Sequence, residues 1–258
     1  MDCNNQGSVA FVTGGSSGIG KAIVEKIAQQ GGKAIIIDIN EVGEELACNL
    51  GGNVIFIKAD VTSEEDVTLA LDEAKRRFGG INVVVNCAGI VEWGVPYDFE
   101  ASKACPLEIY KRVMDVNALG TFNVSRLAAG MMATNVPDEN QQRGVIINIA
   151  SIMATDPRED MCAYAISKAA VKGMTLPLAR CFATKGIRVV CLCPGFTATP
   201  MLAGYPQEAI DQLMNSVNLS PKRLAKPEEI AHMVQCIIEN PYINAETINI
   251  SGGYHYSK

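Results

Sequence analysis

Tyr164 and Lys168 stand four residues apart in the run Tyr164-Ala165-Ile166-Ser167-Lys168. On a helix, that spacing stacks a phenol and an ammonium on one face. A free tyrosine titrates near a pKa of about 10, so proton transfer at neutral pH needs a neighbouring positive charge to favour the phenolate. A lysine one turn away is such a charge, and the pair is a candidate acid and base for moving a hydroxyl proton. Taken alone, the spacing is common, and an exposed tyrosine beside a solvated lysine satisfies it equally. Ser151 follows the apolar run Val145 to Ile149. Its hydroxyl is placed either to hold a substrate oxygen or to satisfy the backbone at a strand end.

A second constellation opens the chain. The strand-like run Val9 to Val12 leads into Thr13-Gly14-Gly15-Ser16-Ser17-Gly18-Ile19-Gly20, and a helical pattern begins at Lys21. The glycines permit a tight turn and a close approach of backbone to a pyrophosphate, whose charge would sit at the helix N-terminus. The spacing Gly-x-x-x-Gly-x-Gly differs from Gly-x-Gly-x-x-Gly, and a glycine cluster can be only a flexible turn. Here a strand precedes it and a helix follows, so Gly14, Ser16, Ser17, Gly18, Ile19 and Gly20 are expected to hold a dinucleotide. Asp38 ends the second strand-like run, eighteen positions beyond Gly20. A carboxylate there accepts both hydroxyl hydrogens of the adenosine ribose and repels a 2′-phosphate. No arginine stands at Ser16, Ser17 or Ile39 to compensate, which favours NAD over NADP.

These groups need a scaffold, and the hydrophobic pattern supplies one. Runs at Val9 to Val12, Ala34 to Ile37, Val54 to Ile57, Val83 to Val85, Val145 to Ile149, Arg188 to Leu192 and Thr247 to Ile250 alternate with longer helix-like segments. The runs are apolar on both faces, as in strands of a parallel sheet covered on each side. The expectation is an α/β, doubly wound Rossmann fold with a seven-stranded parallel sheet and helices on both faces. Neither repeats nor a composition shift divides the chain, so residues 1–258 are read as a single dinucleotide-binding catalytic domain. Two connections are long for such a unit. Residues 90–106, with the sole tryptophan Trp93, are expected at the rim of the site, and residues 134–144 on an outer surface.

Composition narrows the partners. A net charge of -6 offers no basic field for nucleic acid. No apolar run approaches the roughly 20 residues of a membrane span. Nine cysteines in mainly apolar settings read as small buried side chains of a reducing compartment rather than a disulfide framework. Cys191 and Cys193 share a face of one strand without a second ligand pair nearby, so packing is preferred to metal binding. The start, with Asp2, Asn4, Asn5 and Gln6, carries neither a secretory apolar stretch nor an Arg-rich transit segment.

The order and spacing of these residues resemble the short-chain dehydrogenase/reductase family along essentially the whole chain. The shared markers are Thr13-Gly14-x-x-x-Gly18-x-Gly20, Asp60-Val61, Asn86-Cys87-Ala88-Gly89, Asn117, Ser151, Tyr164 with Lys168, and Pro194-Gly195 followed by Thr197 and Thr199. The resemblance implies that Asp60 and Val61 hold the adenine and that Cys87, Ala88 and Gly89 line the floor beneath it. It places Thr197 to Thr199 near the nicotinamide carboxamide. Asn117 would hold a water linking Lys168 to solvent, or else be an ordinary helix residue. The implied activity is NAD-dependent interconversion of secondary alcohols and ketones.

A closer likeness within the family rests on residues 93–106, on Val136-Pro137-Asp138-Glu139 and on Gly173 to Arg180. It implies 3-hydroxyacyl-CoA esters or hydroxysteroids as substrates, a homotetramer and a mitochondrial location, with the cytoplasm as the alternative. Met161, Cys193, Phe196 and residues 202–205 depart from that likeness and bear on substrate choice. Other alcohols or polyols are the alternative substrates, and a cofactor-bearing structural subunit is the alternative role. Residues 196–220, with a helical pattern at Gln207 to Val217, read as a lid over substrate or as surface packing. Lys222 and Arg223 are placed to meet CoA phosphates, or to form a solvated charge pair. His232 and His255 have no part in this chemistry.

Overall fold

The computed structural model describes residues 7–256. The N-terminal residues Asp2 to Gln6 and the last two residues lie outside it. Strands β1 (Val9–Thr13), β2 (Lys33–Asp38), β3 (Val54–Lys58) and β4 (Val83–Asn86) alternate with helices α1 (Gly18–Gln29), α2 (Val42–Leu50) and α3 (Glu64–Phe78). A short hairpin, β5 (Tyr97–Asp98) and β6 (Lys103–Ala104), precedes α4 (Leu107–Met114), a π-helical turn at Asp115–Leu119, and α5 (Gly120–Met132). Then come β7 (Gly144–Ile149), α6 (Cys162–Gly173), α7 (Thr175–Phe182), β8 (Ile187–Pro194), α8 (Gln207–Val217), α9 (Pro227–Glu239) and β9 (Thr247–Ile250). The seven long strands pair in parallel in the order β3-β2-β1-β4-β7-β8-β9.

Alternation of side chains along each strand divides the core into two layers. Ala10, Val12, Ile36, Val85, Ile147 and Leu192 pack with Ile23 and Ile27 of α1 and Ile230 and Val234 of α9. Phe11, Ile35, Ile37, Val84, Ile146 and Val189 face the other way, onto Val67 and Leu71 of α3, Val124 and Met132 of α5 and Leu178 of α7. Both sheet faces are therefore covered, which is why the strands read as continuous apolar runs. Each fully buried isoleucine contributes about 1.5–3 kcal/mol of transfer free energy.

Local signals set the helix boundaries. Ser63 accepts a hydrogen bond from the Asp66 N–H and donates one to its carboxylate, capping α3. Acids Glu64, Glu65 and Asp66 occupy its first turn, Lys75, Arg76 and Arg77 its last, and Gly79 stops it in the left-handed conformation. One boundary departs from the pattern, since α1 begins at Gly18 rather than Lys21. The last two glycines of the turn thus belong to the first helical turn. Gly20 has to be glycine, because a Cβ there would lie 2.2 Å from the Gly14 carbonyl oxygen.

The strand order reverses between β1 and β4. At such a point, the loops leaving the carboxyl ends of neighbouring strands diverge and open a crevice. No helix among the described residues is long and apolar enough to cross a membrane.

Candidate active site

A cavity of about 340 Å³ occupies that crevice. At one end lie Gly14, Ser17, Gly18 and Ile19 after β1 and Asp38 at the end of β2. Asp60 and Val61 follow β3, and Cys87, Ala88 and Gly89 follow β4. Ser151 after β7, Tyr164 and Lys168 on α6, and Pro194, Gly195, Thr197 and Thr199 from β8 onward complete it. Ser16, Gly20, Asn86 and Asn117, also singled out in the sequence, do not line the cavity but support what does.

The loop after β1 is built for close approach. Gly14 has φ +64, and a Cβ on it would stand 2.8 Å from the Ala88 nitrogen. Thr13 joins this loop to the one after β4, since its Oγ1 accepts hydrogen bonds from the Cys87 and Ala88 N–H groups, both at 3.1 Å. Ser16 is buried behind the turn and donates its hydroxyl to the Asn40 carbonyl. Its N–H donates to Asp38 Oδ2 at 3.1 Å, so the carboxylate is oriented by the loop it faces. Asn86 is an internal brace whose amide donates to Ser125 Oγ and Asn148 Oδ1 across the sheet. A dinucleotide fits this frame: bare backbone faces a helix N-terminus, and a carboxylate closes the end.

At the other end, Ser151 caps a short helical turn at Ile152–Ala154 by accepting the Met153 N–H at 3.1 Å. Its hydroxyl neighbours the Tyr164 phenol and favours the ionised form. Tyr164 and Lys168 are both buried on the same face of α6, with the ammonium 5.7 Å from the centre of the phenol ring. Lys168 Nζ donates to the Ile149 carbonyl at the end of β7, 2.9 Å away. Burial pushes the Tyr164 phenol up to about 12, and the neighbouring Ser151 hydroxyl offsets this only in part. Burial likewise holds the Lys168 ammonium below the usual lysine range. In the protein without ligand, burial therefore governs the phenol.

Asn117 lies buried in the π-helical turn. Its side chain accepts the Ile90 N–H and gives its amide hydrogens to the Ile90 carbonyl and Ser167 Oγ. Ser167 donates in turn to the Tyr164 carbonyl. The Asn117 side chain therefore ties the loop after β4 to α6, and both its donor hydrogens are spent on protein. π-Bulges of this kind occur disproportionately at functional sites.

Sequence reasoning missed part of the apolar end of the cavity: Val91, Ile152 and Met153 line it beside Trp93, Met161, Phe196 and Leu202, which the sequence had singled out. No periodic signal marks such residues, because the cavity wall they belong to is assembled from three separate connections. Of the residues considered for phosphate contact, Arg223 makes a two-pronged pair with Glu229, and Lys222 donates to the Asn215 carbonyl. His232 lies exposed on α9, and His255 faces Asp156 at 3.2 Å.

Cys87 keeps some surface toward the cavity, yet burial pushes its thiol up to about 11. Little thiolate then exists at neutral pH, and the thiolate is the nucleophile. Mass spectrometry after brief iodoacetamide treatment near pH 7 should find Cys87 unmodified while exposed Cys48 and Cys181 are alkylated. Rapid labelling of Cys87 would contradict the assignment.

The comparisons with known proteins agree with this geometry. The family profile described as short chain dehydrogenase matches residues 8–209. The 3-hydroxyacyl-CoA dehydrogenase type-2 of Drosophila melanogaster is 47% identical over 95% of this chain and 96% of its own. The protein of that name from Homo sapiens is 47% identical over 96% and 95%. A crystal structure of 3-hydroxyacyl-CoA dehydrogenase type-2 from Mycobacterium avium superposes with a TM-score of 0.92 at 31% identity, covering 98% of both chains. With this sheet order and this crevice, the chain belongs to the short-chain dehydrogenase family of oxidoreductases, whose members take a nicotinamide dinucleotide.

Proposed function

We propose that this protein is an NAD-dependent dehydrogenase that interconverts (S)-3-hydroxyacyl-CoA and 3-ketoacyl-CoA esters. The observation that carries the reading is that Ser151, buried Tyr164 and buried Lys168 meet at the far end of a cavity that begins at Asp38. Relatives named for the hydroxyacyl-CoA reaction support the substrate class. The choice of NAD rests on Asp38 and on the absence of a free cation beside it among the described residues. Lys58, its partner in the register with β3, donates to Glu41 at 2.7 Å.

When bound, NAD supplies the two-electron chemistry, exchanging hydride with the substrate carbon. The protein's residues handle the oxygen and its proton. Ser151 Oγ already accepts the Met153 N–H, and its own hydrogen is available to hold the substrate oxygen. Tyr164 gives the proton to a ketone oxygen, or takes it from an alcohol. Lys168, tethered to Ile149, keeps a positive charge near the phenol and stabilises its ionised form. Asn117 holds the loop and helix that carry these groups in register. The same resemblance supports a homotetramer and a mitochondrial location, and half-exposed Leu119 and Phe122 offer apolar surface for association.

A spectrophotometric assay of NADH oxidation decides the substrate class. Acetoacetyl-CoA should be reduced with a larger kcat/KM than a ketosteroid or a simple ketone, and the reverse ranking would overturn the assignment. The pH dependence follows from the phenol pKa of about 12. Ketone reduction uses the protonated phenol, which is fully populated near neutrality, so its kcat/KM should be flat around pH 7. Alcohol oxidation uses the ionised phenol, so its kcat/KM should rise with pH in the alkaline range. A rate of oxidation that falls as pH rises would remove Tyr164 from the role of base.

A further inference from the structure

We propose that Trp93 and Tyr205 form an aromatic gate at the substrate end of the cavity, and that it sets how long an apolar arm the substrate can carry. The proposal rests on the dehydrogenase reading above and names a specificity device within that site. The two rings come from different loops and meet with centroids 5.2 Å apart, inclined at 55°. Trp93 lines the cavity together with Met153, Met161, Phe196 and Leu202. None of these carries a charge, and methionine side chains adapt to the shape of an apolar guest.

The two sides of the contact are anchored differently. On the tryptophan side, the Gly94 N–H donates to the Asp160 carbonyl at 2.8 Å, and Gly94 bridges to Met161, three residues before Tyr164. Trp93 is thus fixed relative to the catalytic phenol. On the tyrosine side, Tyr205 is 40% exposed and its N–H reaches only back to the Leu202 carbonyl, in the turn leading to α8. Residues 207–209 at the start of α8 are exposed, and the helix is fastened through Met214 and Val217 near its end, with Ile210 and Leu213 packed against them. An edge-tilted ring pair is a weak contact beside the stability of a whole fold, so it parts without unfolding anything. A short arm fits behind the closed rings, whereas a longer one has to displace Tyr205.

Trp93 is the sole tryptophan of the chain, so its emission reports the gate without background. The experiment measures NADH oxidation with acetoacetyl-CoA and with 3-ketodecanoyl-CoA for the parent, Tyr205→Ala and Tyr205→Phe, together with Trp93 emission. Tyr205→Ala should raise the long-to-short ratio of kcat/KM about tenfold, the scale on which pocket apolar groups discriminate. Tyr205→Phe keeps the ring and should retain the parent ratio. Adding 3-ketodecanoyl-CoA to the parent's NAD complex should shift the emission, and Tyr205→Ala should show that shifted state beforehand. A ratio unchanged in Tyr205→Ala, with emission insensitive to the long thioester, overturns the gate. If the parent reduces neither thioester, the substrate reading fails separately. The gate then stands or falls on whether 2-undecanone, added to the NAD complex, moves Trp93 emission in the parent and not in Tyr205→Ala.

Discussion

Tyr164→Phe protein should bind NADH as the parent does and lose turnover by about 10²–10⁴-fold, the range for removal of a general acid or base. That loss corresponds to about 3–5 kcal/mol of barrier. The substitution is a clean one here. Phenylalanine keeps the buried ring and its contact with Lys168, and it deletes only the phenol hydroxyl. Ser151→Ala is less clean, because it also removes the acceptor for the Met153 N–H that caps the turn behind it. Steady-state rates give the first half of the expectation and NADH fluorescence titration the second. Turnover within about tenfold of the parent would show that some other group moves the proton.

The second large effect concerns cofactor choice. Asp38→Arg should lower the NAD-to-NADP ratio of kcat/KM by about 10³-fold. Two hydrogen bonds from the ribose hydroxyls to a carboxylate are lost, each worth about 1.5–3 kcal/mol. The guanidinium that replaces it matches a phosphate with paired donors. No other change is required nearby, since Lys58 is committed to Glu41 and Ile39 is exposed. The Ser16 and Asn40 N–H groups lose their Asp38 acceptor, so a modest fall in thermal midpoint should accompany the switch. Initial rates over a range of both cofactors test it. A ratio that does not move would mean that the ribose is held elsewhere.

The seven strands and their parallel pairing were legible in the sequence because they depend on short-range chemistry, whereas the strand order was set by the fold. Val83 to Val85 and Val145 to Ile149 are apolar on both faces, and only a sheet covered on both sides hides such runs. The glycine turn was legible for the same reason: Gly14 and Gly20 sit where any Cβ would strike backbone. Tyr164 and Lys168 share a helix, so their spacing alone put them on one face. The hairpin at Tyr97–Ala104 was not legible, since two residues per strand leave no periodic signature.

Tertiary structure alone decided the electrostatics and the contacts between loops. Whether Lys168 or burial governs the Tyr164 phenol depends on how much water the fold removes, and that is a property of packing around α6, not of spacing along it. Asn117, a plain polar residue in the chain, became the tie between Ile90 and Ser167 only when the π-helical turn brought it there. Asn86 became a brace rather than a cavity wall because β4 lies between β1 and β7. Local sequence specifies dihedral preference and polarity, residue by residue. Contacts between Trp93 and Tyr205, or between Thr13 and Cys87, join positions separated by many turns of chain, and only the folded sheet sets their distance.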